Sequence, residues 1–416
     1  MLQHRTLFRF VTLAIAAAIT TNIEAQQFVA PQVQAGQLPS HGRPLLQVAP
    51  DGAVHLDGPY AQYSNPTFAA PPGAIVGQPA ANPAASSFSQ GVSQQVNQFT
   101  NWLYNDPVPP QFKHRTGFFG DFLYLRPRNA EIAYALPIDG PVAPVLGNEV
   151  PIGPTAVADF DYEPAFRVGF ILRLNDGASI VSQYTYFRSD DSSSATISPA
   201  DGVLRSLVSH PLAANAATDT LDANASIAID YDLFDTDYRG LIFGSESCQG
   251  KCAYMVNYLI GGRYAQFDQD FRSNFTTIST TSVNTNVDFD GGGIRLGLEG
   301  ERHSTATGLY IYGRGVTNLM VGEFNADYLQ ANTLNGVEAF TSWSAGRVVP
   351  VLDLELGLGW VGPRRRLRFS GGYMVSSWFN VVKTEDFINA AQSHDFDNLS
   401  GNLTFDGLVA RATWEF

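Results

Sequence analysis

From Gly117 to Phe416 apolar and polar residues alternate at period two, the spacing of a β-strand. "PAFRVGFILRL" sets Phe166, Val168, Phe170, Leu172 and Leu174 against Arg167, Gly169 and Arg173. "ASIAIDYDL" sets Ile227, Ile229, Tyr231 and Leu233 against Ala228, Asp230 and Asp232. "GGGIRLGLEG" and "PVLDLELGLGW" repeat the pattern, and "LVARATWEF" carries it to Trp414 and Phe416. The alternation predicts ten strands, near residues 117–128, 164–174, 179–189, 224–239, 252–271, 288–300, 307–322, 346–360, 366–380 and 402–416.

The predicted connections alternate in length. Polar stretches of roughly 15 to 35 residues follow the first, third, fifth, seventh and ninth strands, and short turns such as "NDGA" and "VGPRRR" follow the others. A soluble β-sandwich would also alternate. Strands of about 10 to 16 residues exceed the soluble mode and suit a tilted bilayer crossing. Aromatics near strand ends (Tyr184, Tyr186, Tyr254, Tyr264, Trp360, Tyr373, Trp414) fall where interfacial girdles lie. Lipid cannot hydrogen-bond a free edge, so the sheet must close, the last strand pairing with the first. The expected fold is all-β: a closed antiparallel transmembrane β-barrel of about ten strands over residues 113–416.

Composition extends this picture at the N-terminus. Arg5 and Arg9 precede the apolar run "VTLAIAAAIT", which reads as a signal peptide over residues 1–25. Residues 26–112, rich in Gln, Pro and Ala, read as a disordered periplasmic linker that touches the cell wall, with a short helix at 90–104. A net charge of −14 argues against nucleic-acid partners. Cys248 and Cys252 in "ESCQGKC" read as a disulfide in an exported chain; free thiols and a metal site are the alternatives, and the seven His are scattered.

"GDFLYLRP", "FRVGFILRLNDGASIVSQYTYFRS", "YLIGGRYAQFDQD", "GGGIRLGLEGE", "GLYIYGRGVTNLMVGEF" and "VVPVLDLELGLGW", in this order before a terminal aromatic, resemble the Legionella-type major outer membrane protein family. The resemblance implies a pore-forming outer-membrane barrel with no catalytic residues. It also implies that Trp414 and Phe416 are the assembly signal read by the barrel-assembly machinery.

Opposite the apolar rows lie the candidate lumen residues: Arg167, Arg173, Asp230, Asp232, Arg263, Arg295, Glu299, Arg314, Asp353, Glu355, Arg368 and Arg411, with Asp121 and Glu415. The main expectation is passive, porin-like passage of ions or small solutes filtered by these charges. A non-conducting structural or adhesive barrel acting through its outer loops is the alternative. Inward glycines (Gly169, Gly261, Gly297, Gly357) would relieve crowding or leave a thin water path, and the alternation does not decide which. Carboxylates in "FDTDYRG", "QFDQDF" and "HDFDNLSGN" read as solvated loop charge rather than calcium ligands. Asp353 and Glu355 read as a polar lumen rather than a glycosidase pair, and neither cofactor nor catalytic group is expected.

Overall fold

A computed structural model describes residues 112–139, 150–213, 220–247, 252–276, 279–397 and 399–416. The expected signal peptide and the linker, up to residue 111, lie outside them. No described helix is long and apolar enough to cross a membrane, which says nothing of strands.

The chain order is β1 (Gly117–Arg128), β2 (Ile132–Ile138), β3 (Ala156–Ala158), β4 (Glu163–Asn175), β5 (Ala178–Thr196), β6 (Val203–Ser206), β7 (Asp222–Ser247), β8 (Cys252–Thr276), β9 (Thr280–Ser304), β10 (Leu309–Asn332), β11 (Gly336–Val361), β12 (Leu367–Val381), α1 (Thr384–Ser393) and β13 (Gly401–Glu415). Ten strands form one antiparallel ring in the order β1-β13-β12-β11-β10-β9-β8-β7-β5-β4. β1 completes it, pairing with β13 from Gly117↔Glu415 to Arg128↔Thr404 and with β4 from Gly117↔Ile171 to Leu125↔Glu163. The Phe416 N–H reaches Thr116 O at 2.9 Å, and the Phe118 and Phe416 rings stand 5.9 Å apart. The last strand therefore has no free edge. β2, β3 and β6, inside the connections β1–β4 and β5–β7, add a separate three-stranded sheet, β3-β2-β6.

The ring strands match the expected ten, but many run far past the expected limits. β7 and β11 have 26 residues each. At about 3.3 Å per residue that is some 85 Å of strand, against about 30 Å of hydrocarbon. Two expected long loops, after β8 and β10, are largely strand: β8 pairs with β9 as far as Thr276↔Thr280 and β10 with β11 as far as Asn332↔Gly336. Their Ser, Thr and Asn content suggested loops, yet period two persists through them: Phe267, Phe271 and Phe275 are buried while Asp268, Asp270 and Arg272 are exposed.

The alternation also inverts along single strands. Near the short-turn rim the outward face of β8 carries Ile260 and Tyr264, and its inward face Asn257 and Arg263. Farther up, the same outward face carries Asp268 and Asp270, and the inward face Phe267 and Phe271. β7 and β10 behave alike: Phe234, Tyr238, Ile311 and Leu319 are out below, whereas Ile227, Ile229, Phe324 and Tyr328 are in above. The upper interior is an apolar core of Phe187, Phe267, Phe289, Phe324, Trp378 and Phe405, with Phe187 and Phe267 each 5.1 to 6.4 Å from neighbouring rings. Each fully buried ring contributes about 1.5–3 kcal/mol. Tyr134, Phe160 and Leu204 from the loop sheet and its flanks join this core, as do Phe387 and Ile388 from α1. α1 has Glu385 and Asp386 in its first turn, which suits the helix dipole, and it buries Phe387, Ile388, Ala390 and Ala391.

Inward glycines make room for rings. A Cβ on Gly169 would fall 2.4 Å from the Phe119 ring, and one on Gly357 would fall 2.4 Å from Gly371 O and 2.7 Å from the Tyr312 ring. Gly357→Val should therefore cost about 1–3 kcal/mol or more by overpacking. The expected result is a lower temperature for loss of the compact, heat-modifiable gel form; an unchanged midpoint would contradict the packing.

Candidate functional site

Below the apolar core, the ring interior holds a layer of two ion-pair clusters which, with their hydrogen-bonding neighbours, draw on every ring strand. On one side the Arg411 guanidinium (β13) grips Asp121 (β1) with two bonds of 2.7 Å, and Arg167 (β4) reaches the same carboxylate at 3.1 Å. Arg167 also lies 3.5 Å from Glu355 (β11), which accepts a 2.8 Å bond from the Tyr312 hydroxyl. On the other side Arg263 (β8) bonds both oxygens of Asp235 (β7) at 2.6 and 3.0 Å and lies 2.9 Å from Asp353 (β11). Arg295 (β9) meets Asp237 at 3.0 Å, Asp235 at 3.3 Å and Asp353 at 3.4 Å. Gln183 (β5), Asn318 (β10) and Ser376 (β12) complete the layer, donating to Asp235 and Asp353 at 2.8, 3.0 and 2.6 Å. Such charges are costly to desolvate, and the layer is tolerable because each carboxylate meets guanidinium, amide or hydroxyl donors.

Toward the short-turn rim Arg368 meets Glu301 at 2.7 Å and Arg239 meets Glu299 at 3.4 Å. A small cavity of about 60 Å³ opens there among Glu299, Glu301, Arg314, Glu355, Arg368 and Arg411. A second, of about 30 Å³, lies among Arg167, Arg263, Arg295 and Asp353 and shares Arg314 and Glu355 with the first. Together they have room for a handful of waters.

Of the expected lumen residues, Arg167, Arg263, Arg295, Glu299, Arg314, Asp353, Glu355, Arg368 and Arg411 lie inside the ring. Three lie elsewhere. Arg173 is largely exposed at the β4–β5 turn, paired with Asp176. Asp230 and Asp232 face outward, Asp230 paired with Arg188 at 2.9 Å and Asp232 accepting from the Tyr184 hydroxyl. The reason is the inversion: the apolar row Ile227–Leu233 faces the interior core, not lipid, so its polar partners face out. The inward acids of β7 are Asp235 and Asp237, with side chains 1% exposed, in the "FDTDYRG" stretch that suggested a loop. Parity puts them in the row of Ile227 to Leu233, and that row faces in only because of the inversion, so the alternation alone would have turned them toward lipid. Cys252 opens β8, half-buried and opposite Ser304; its expected partner Cys248 lies outside the described residues.

The outward aromatics mark a boundary. Tyr264 donates to Asp290 at 2.8 Å, Tyr184 to Asp232 and Tyr373 to Asp406. Beneath these pairs the outer face is Phe118, Phe170, Leu296, Leu354, Leu356, Leu358 and Trp414; above them it exposes carboxylates such as Asp268, Asp270 and Asp327. There Asp268 stands in register between Asp230 and Asp288. Partial burial, then the Asp288 carboxylate, pushes its own carboxyl up to about 6.

Two measurements check this geometry. Arg295→Met leaves three carboxylates short of a cation and should cost about 3–5 kcal/mol in urea unfolding, more than Arg314→Met, whose charge contact is a single 3.4 Å approach; equal losses would contradict the layer. A raised carboxyl means that the folded wall holds its proton more tightly, a contribution present in acid and lost as pH rises through about 6. Asp268→Asn should therefore raise the unfolding midpoint at pH 7.5 and change it little at pH 4.5; a larger gain in acid would contradict the acidic register.

Residues 109–416 match the family model described as Legionella pneumophila major outer membrane protein precursor. No curated protein matches the chain. Among solved structures, the outer membrane protease OmpT from Escherichia coli is 9% identical, with 72% of this chain and 97% of that one covered and a TM-score of 0.35. The transport unit of the autotransporter AIDA-I from Escherichia coli is 6% identical, covering 78% and 98%, with a TM-score of 0.24. A Pseudomonas aeruginosa FadL homologue is 10% identical, covering 76% and 93%, with a TM-score of 0.20. With three quarters of its length matched by one family model, the chain belongs to the Legionella major outer membrane protein family and is a protein of the outer membrane.

Proposed function

We propose that this protein is a transmembrane β-barrel that is shut at rest and serves as an anchored scaffold for a tall outer wall. The short turns would face the periplasm and the long hairpins the exterior, the usual disposition of such barrels. One observation carries the reading: the apolar core above the ion-pair layer spans the interior, with Phe187, Phe267, Phe324, Trp378 and Phe405 all essentially without solvent exposure. A hydrated ion crossing this tier would lose its water among aromatic rings, with only scattered neutral groups such as Ser189 and Gln269 to replace it. The paired carboxylates Asp353 and Glu355 are committed to arginines, so the reading assigns them no catalysis. Lipid and the assembly machinery, through Trp414 and Phe416, are its partners.

Porin-like passage is the second reading, favoured by the two stacked cavities that lead from the short-turn rim to the ion-pair layer. It requires the apolar tier and its loops to move aside. Planar-bilayer recording with purified protein separates the two. The shut scaffold should give no steady conductance across repeated preparations; discrete, salt-scaled open levels would replace it with the porin-like reading.

A further inference from the structure

Two segments distant in sequence meet at the tall end of the ring, residues 203–213 with β6 and the C-terminal turn of α1. The Gln392 side-chain amide donates to Leu207 O at 2.8 Å and Ser209 O at 3.0 Å, clamping them together. Beside the clamp, His210 Nε2 and His394 Nε2 stand 3.3 Å apart, with ring centroids 5.0 Å apart and planes at 73°. Both rings have fixed backbones. His394 is the left-handed cap of α1, φ 59°, with its N–H on Ala390 O, and the His210 N–H is on Gln330 Oε1 at 2.7 Å.

The tautomers follow from the neighbours. His210 Nδ1 accepts the Leu212 N–H at 3.2 Å, so neutral His210 carries its proton on Nε2 and His394 Nε2 accepts it. We propose that this pair is a proton-operated latch, tying α1 to the β6 segment while both rings are neutral and releasing it when one is protonated. A proton arriving at His394 Nε2 sets N–H against N–H. His210 could then accept only by moving its own proton to Nδ1, the position that the Leu212 amide occupies. A second proton adds like charge.

Burial and then His394 hold His210 below its usual value near 6.5. A lowered imidazole contributes stability above that value, lost as pH falls below it, so the latch holds at pH 7.5 and slackens in acid. The other titratable groups around the pair are Tyr328, whose hydroxyl donates to Val208 O, Glu338, held by Gln330, and Asp395 and Arg205 on the same segments. On α1, Asp386 works in the opposite direction: partial burial raises its carboxyl, so acid favours that helix.

Hydrogen exchange of the whole protein in lipid nanodiscs tests the latch independently of conductance. After correction for intrinsic rates, protection of the α1 amides should fall about fivefold from pH 7.5 to pH 5.0, the loss of one hydrogen bond of about 1 kcal/mol. His210→Gln and His394→Gln, both heat-modifiable on gels, should show no such fall. Protection in the wild type that does not change with pH would overturn the latch. So would an undiminished fall in both variants.

Discussion

The structure depends on a change of solvent along each strand. The same face of β8 meets an apolar medium at Ile260 and water at Asp270, and a strand cannot rotate its side chains between the two. What lies outside therefore fixes what must lie inside. Where the outside takes the apolar residues, the polar ones turn inward and have to pair; where water takes the polar ones, the apolar set turns inward and packs. The ion-pair layer and the core above it are two consequences of one alternation crossing one interface. The tyrosine–aspartate pairs lie at the crossing, each offering a ring to one side and a hydrogen-bonded hydroxyl to the other.

Closure of the ring makes both tiers affordable. With β1 bonded to β13 and β4, no ring strand has an unpaired edge at the level of the apolar belt. The interior is narrow enough for a guanidinium on one wall to reach a carboxylate on another: Arg167 of β4 touches Glu355 of β11, and Arg263 of β8 touches Asp353 of β11. A wider ring would separate these partners and leave charges to water. In this one, opposing walls are bonded to each other, which favours a sealed interior over an open lumen.

The tall end is built differently. Its strands stand in water, and loops and a helix fill what the strands enclose, so its stability resembles that of a soluble domain. Its segments are held by side-chain to backbone bonds such as those of Gln392 and by the His210–His394 contact.

Period two determined the all-β class, the ten ring strands and the rows in which the charges stand, because parity in a strand is rigid and Arg263, Arg295 or Glu355 cannot leave its row; the first-to-last pairing followed from the edge that lipid cannot satisfy. Residues 117–416 were also legible as one family's sequence. Parity does not say which row faces in. For Ile227 to Leu233 that was decided by their height in the folded ring, above the boundary where lipid gives way to water, and Asp230 and Asp232 went outward with it. The inward turn of Asp235 and Asp237, the strand extensions of β8 to β11 and the apolar filling were likewise fixed only in three dimensions. Each depends on where one strand stands beside another, and a single strand's alternation contains no measure of that.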